Sequence, residues 1–103
     1  MEETVSLSTL TADDFDPLVE SSFTLHDGSG VELPLTLASV RRANSNAARV
    51  NRAPFVLLFN SPPGRVLPQR IYAISHAKMG TLEIFIVPVG ADADHVEYEA
   101  VFG

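Results

Sequence analysis

Cysteine is absent from the 103 residues, which excludes disulfides, thiolate metal sites and cysteine nucleophiles together. Long apolar runs are missing too. The longest uncharged one, Ile84 to Val89, is far too short to span a bilayer. The start, MEETVSLSTL, has neither the positive leader nor the apolar stretch of a signal peptide. Synthesis for the cytoplasm is therefore the default expectation, with export as part of a larger assembly as the alternative. Basic residues are scarce: thirteen acidic side chains against seven basic ones give a net charge of −6. That charge repels phosphate backbones and anionic membranes at long range, so neither nucleic acid nor a membrane is expected as a partner. Internal repeats and low-complexity segments are also lacking.

What is present is ordinary globular material. A hydrophobic share of 46% with 19% charged residues is enough for one domain over residues 1–103 to fold as a unit. The charge is unevenly spread: eight acids lie in residues 1–32, while Arg41, Arg42, Arg49 and Arg52 fall within twelve residues. A local basic patch is compatible with an acidic whole.

Thr11 is placed to cap a short helix over residues 12–18, its hydroxyl accepting from the first turn, where Asp13 and Asp14 suit the positive helix end. Phe15 and Leu18 share one face, and Pro17 limits the helix. From Phe23 the apolar period becomes two. A hairpin over about 22–40 turns at Asp27-Gly28-Ser29-Gly30, with Val31, Leu33, Leu35 and Leu37 on one face. Pro34 lacks a ladder donor and predicts an edge strand or a bulge at that point. Residues 41–53 read as a long loop. Strands follow at about 54–60, 70–75, 81–89 and 96–102, joined by connections too short for parallel crossovers. The fold class expected is mainly β: a small antiparallel β-barrel, or a barrel-like sandwich, of about six strands with one short N-terminal helix.

The stretch TLEIFIVPVG, residues 81–90, carries more bulky apolar residues than one face of a strand needs. Leu82, Ile84 and Ile86 form the better inner wall. Phe85 and Val87 stand on the other face, to be covered by the helix, by the long loop or by a neighbouring subunit.

Catalytic chemistry finds little support. His26, His76 and His95 show no zinc-ligand spacing, and Asp92, Asp94 and His95 lack the oxygen pattern of a calcium loop. A solvated acidic turn accounts for them, and no metal or cofactor is expected. Ser75 adjoins His76, but neighbouring strand residues point to opposite faces, so no catalytic residue is assigned. Glu97 and Glu99 serve as the wet side of the last strand, and Gly28-Ser29-Gly30 is explained as a turn.

The segment RAPFVLLFNSPPGRVLPQRIYAISHAKMGTLEIFIVPVG, followed by VEYEAVF, resembles a family of small bacterial proteins of about this length that carry a domain of unknown function. The resemblance covers residues 52–102 and reaches the N-terminal half only through its helix-then-hairpin pattern. The resemblance also implies that some members are encoded near phage-tail-collar-like proteins. The resemblance thus implies a subunit or accessory factor of a fibre or tail-like assembly.

The expected role is non-enzymatic: protein binding or self-association. Arg41, Arg42, Arg49 and Arg52 would steer an acidic partner or pair with the acidic N-terminal residues of another copy, and Phe55 or Phe85 would supply the apolar anchor. The alternative is a small-ligand-binding barrel with a pocket at Gln69, Tyr72 and His76 near its mouth. A small hydrolase is the second alternative; it would require Ser75 or another hydroxyl to meet His76 or His95.

Overall fold

Period-two alternation builds this protein. In a computed structural model that describes residues 10–42 and 54–102, the six strands among those residues are β1 (Ser22–His26), β2 (Glu32–Arg42), β3 (Phe55–Ser61), β4 (Arg70–His76), β5 (Gly80–Ala91) and β6 (Val96–Phe102). Every adjacent pair is antiparallel. The order β1-β2-β3-β6-β5-β4 closes on itself as a barrel, which leaves no sheet edge to be capped.

Alternation decides what fills the barrel. Phe55, Leu57 and Phe59 of β3 point inward and are fully buried, as are Leu82 and Ile86 of β5 and Tyr98 and Ala100 of β6. The aromatic rings divide into two groups. Phe55 stacks on Phe102 with centroids 4.7 Å apart, and Phe15 leans on both from outside the strands, at 5.8 and 5.6 Å. Deeper in, Phe23 meets Phe59 edge-on at 5.4 Å.

The N-terminal helix is a plug for one barrel end. It comprises α1 (Ala12–Phe15), which passes at once into a 3-10 turn over Asp16–Leu18, as a proline at position 17 dictates. Its start is fixed by the Asp14 carboxylate, which accepts from the Thr11 N–H at 2.8 Å and from the Thr11 hydroxyl at 3.3 Å. Thr11 and Asp14 thus form the reciprocal capping box that closes the first turn. Phe15 and Leu18 are buried, so the plug is held by apolar contact.

The strand containing Pro34 is interior to the closed barrel, not an edge. Pro34 pairs opposite Thr24, and the irregularity in β2 comes later, as a register shift between Leu37 and Ser39. A second shift lies between Pro88 and Gly90. β2 also continues through Arg41 and Arg42, two residues that the sequence reading assigns to the long loop; residues 43–53 lie outside the described residues.

At the other barrel end the chain from β3 to β4 is pinned by one buried hydrogen bond. The Leu67 N–H donates to the Tyr98 hydroxyl at 2.8 Å, and Tyr98 is fully buried. Tyr98→Phe keeps the ring but strands that N–H, so it is expected to cost about 1–3 kcal/mol in urea unfolding. A neutral result would mean that the loop rearranges to find another acceptor.

Candidate functional site

Outside the barrel, alternation ought to present polar residues, and over half of the wall it does not. Ile71 on β4 pairs with Phe85 on β5. The pairing of Val87 with Glu99 sets Phe85 level with Val101 on β6, and Val101 pairs with Val56 on β3. Four apolar side chains therefore form one row across four neighbouring strands. Ile71 is 59% exposed, Phe85 49% and Val101 68%; neither the helix nor any other described segment covers them.

The row is convex, since the strands beneath it curve round the barrel, but it ends at a small concavity. A cavity of about 60 Å³ is lined by Ser39, Arg41, Val56, Leu58 and Glu99, with the Arg41 guanidinium 3.7 Å from the Glu99 carboxylate. Around the row stand Glu83, Glu97 and Glu99 against Arg41. Glu83 has no ion-pair partner among the described residues, so the rim is acidic.

The residues singled out from the sequence scatter differently. Phe85 is on the surface as a contact residue must be. Phe55 is not: it is fully buried against Phe102 and Phe15, because β3 places odd-numbered residues inside, and it is corrected from anchor to core. Arg42 is engaged within its own chain, its guanidinium bonded to Asp13 and Asp16 of the helical plug. These two carboxylates also hold the guanidinium more firmly protonated. Arg42 therefore fastens the plug to β2 and is not free to steer a partner. Arg49 and Arg52 lie outside the described residues.

Gln69, Tyr72 and His76 do not share a pocket. Tyr72 and His76 occupy the same inward face of β4, but four residues of strand, about 13 Å, separate them. Tyr72 lines an open cavity of about 210 Å³ at the barrel mouth, with Asp27, Arg65, Leu67, Pro68 and Arg70, and its hydroxyl donates to the Pro68 carbonyl at 2.7 Å. Gln69 is exposed beside it.

His76 sits at the plug end, its ring 4.5 Å from that of Phe23. The Lys78 N–H donates to its Nδ1 at 3.0 Å, which fixes the proton on Nε2. That N–H meets the Ser21 hydroxyl at 3.0 Å, and the hydroxyl in turn donates to the Leu18 carbonyl. His76 is thus a clamp between β4 and the plug in its neutral form. Burial, and then the nearby Lys78 charge, lower its pKa from the usual 6.5. The unfolded chain then takes up the proton more readily than the folded one, so stability rises with pH. This contribution is complete above about pH 6.5 and is lost as pH falls through the lower folded value. Urea midpoints are expected to drop between about pH 7.5 and pH 5.5, and to drop less in His76→Gln. Equal slopes in the two proteins would remove the clamp.

A hydroxyl and a histidine also meet on the outer wall. Ser75 Oγ lies 3.1 Å from His26 Nε2, and His26 Nδ1 lies 3.4 Å from the Glu32 carboxylate. The order matches a serine–histidine–acid relay, joined across three strands by pairing of β1 with β2 and with β4. The surroundings do not match. Ser75 lies inside a regular ladder, between Thr24 and Thr81, so its backbone N–H is committed to strand pairing and supplies no oxyanion site. The group stands on a convex wall, with Glu32 mostly exposed. The relay can share a proton, but the ladder around Ser75 leaves that residue's own N–H unavailable to an acyl intermediate. At the β5–β6 turn, Asp92 accepts from the Asp94 and His95 N–H groups at 2.8 and 3.0 Å, and these bonds hold its carboxyl below the usual carboxylate range. Among the described residues no group of acids and histidines is arranged to hold a metal ion.

Fold and surface together define a small closed antiparallel barrel, plugged at one end, with an apolar band on its outer wall. The chain belongs to the family described as domain of unknown function (DUF6916), whose match spans residues 10–102. No curated protein and no solved structure matches the chain.

Proposed function

We propose that the protein is a non-enzymatic interaction module that seats the row Ile71–Phe85–Val101–Val56 in a groove, rimmed by basic residues, on a larger protein. The observation that carries this reading is the continuity of that row. Scattered surface apolar residues are normal, but a contiguous band edged by polar groups marks a contact surface. Curvature argues for the kind of partner. A stable homodimer buries about 800 Å² on each side, roughly an eighth of the 6274 Å² surface here, and two convex walls meeting along one row bury less. Charge agrees, since copies at −6 repel one another, whereas the acidic rim of Glu83, Glu97 and Glu99 attracts lysine and arginine. The 60 Å³ cavity beside Val56 has room for one small apolar side chain of that partner.

A place as an accessory or structural factor of a fibre or tail-like assembly, made in the cytoplasm and carried with it, is part of this proposal and rests on the resemblance alone. The experiment that tests the docking reading is partner binding by Phe85→Glu with the fold monitored in parallel. Loss of binding with an intact fold agrees with it, and unchanged binding overturns it.

A further inference from the structure

The barrel mouth opposite the plug holds an independent arrangement of charge. Arg65 and Arg70 both border the open cavity of about 210 Å³, with Tyr72 and Leu67, both almost fully buried, beneath it and Pro68 beside it. Among the described residues the only carboxylate lining this cavity is that of Asp27, and it is already committed. Its Oδ1 accepts from the Ser29 N–H at 2.8 Å, the Ser29 hydroxyl at 2.7 Å and the Val31 N–H at 3.3 Å, while Oδ2 faces Arg65 at 3.3 Å. These bonds, the Ser29 N–H foremost, keep Asp27 ionised. One guanidinium is thereby neutralised and the other is not.

Arg70 is held in place without being neutralised. Its guanidinium lies over the Tyr72 ring, 4.8 Å from the centroid, and one of its nitrogens donates to the Asp27 backbone carbonyl at 2.9 Å. Among the described residues no carboxylate lies within ion-pair distance of it. The remainder of a fixed, planar donor fork is therefore unused beside a cavity, in a protein whose overall charge is negative. A fork of this shape matches a carboxylate or phosphate in two parallel hydrogen bonds.

We propose that this mouth binds a small monocarboxylate, its carboxylate on Arg70 and its body over the exposed Pro68, since Tyr72 and Leu67 are themselves almost fully buried. A single charge is favoured over a double one because the second charge would face the Asp27 carboxylate, and the −6 protein repels multiply charged anions. Size agrees, since drug-sized ligands occupy about 300–1,000 Å³ and this cavity suits a smaller molecule. Arg70 directly precedes Ile71 of the docking row, but its side chain turns to the mouth, over Tyr72 and toward the Asp27 carbonyl, so the two sites are tested separately.

The test is titration of the ¹⁵N-labelled full chain with sodium benzoate, inorganic phosphate and uncharged benzyl alcohol at constant ionic strength. Benzoate is expected to give saturable shifts of the Leu67, Tyr72 and Ser29 amides, with a dissociation constant of about 1 mM as befits a ligand of so few atoms. Benzyl alcohol and phosphate are expected to bind at least about tenfold more weakly, by about 1.4 kcal/mol. Arg70→Gln should abolish the shifts, and Arg70→Lys, which keeps the charge and loses the fork, should weaken them. Phe85→Glu should leave them unchanged. Shifts that do not saturate, phosphate binding as well as benzoate, or full binding by Arg70→Gln with a native spectrum would each overturn the proposal.

Discussion

Replacing Phe55 by alanine is expected to remove about 3–5 kcal/mol of stability, the cost of emptying a buried aromatic site. The ring is fully buried, stacked on Phe102 with an interplanar angle of 9°, and it supports Phe15 of the plug. Its removal leaves a cavity where strand and plug meet, and neither the barrel wall nor the two remaining rings can close it without breaking ladder bonds. Against a total of about 5–15 kcal/mol for a domain, such a loss leaves a large unfolded fraction at physiological temperature. Urea unfolding followed by circular dichroism reads the change directly. A loss under about 1 kcal/mol would mean that Phe55 stands at the surface after all.

Phe85→Glu is expected to do the reverse. Half of this ring already faces water, so stability should change by no more than about 1 kcal/mol. Partner binding should fall at least about 30-fold, the effect of losing an aromatic hot spot worth about 2 kcal/mol. The new carboxylate would be desolvated in the groove, close to the row's own Glu83 and Glu99, which adds a repulsive component. Wild-type affinity should also weaken as salt is raised, since the acidic rim contributes through screened charges. Comparing the two phenylalanines separates a residue that holds the barrel together from one that the barrel displays.

That separation was only partly legible in the sequence. The mainly antiparallel β fold and its short helix follow from period-two strands and short connections, and Leu82-Ile84-Ile86 reads as an inner wall because the opposite face includes Glu83; barrel and sandwich are not distinguished until β1 pairs with β4 and closes the ring. The run Phe55-Val56-Leu57-Leu58-Phe59 offers no such asymmetry, so nothing local says which of its faces is inside. Only pairing with β6, where Tyr98 and Ala100 are buried, decides it. The destination of Arg42 was hidden for a similar reason. Its acidic partners lie 26 and 29 residues earlier, on a plug whose docking angle is set by packing and not by spacing. The apolar row itself is a property of register: Ile71, Phe85, Val101 and Val56 are far apart in the chain and become neighbours only when four strands align. His26 and Ser75, 49 residues apart, meet in the same way. Tyr72 and His76 fail to share a pocket because a common strand face does not imply a common barrel end.

The docking row is tested most directly by site-specific photocrosslinking in the protein's own cells. Benzoylphenylalanine is placed at position 85, at position 101, and at Thr36, which lies on β2, across the barrel from β5. The account predicts that positions 85 and 101 capture one and the same larger protein and that position 36 does not. That protein, purified, should bind the wild-type chain and lose binding to Phe85→Glu. Capture of a second copy of this chain, or equal capture from all three positions, would contradict it.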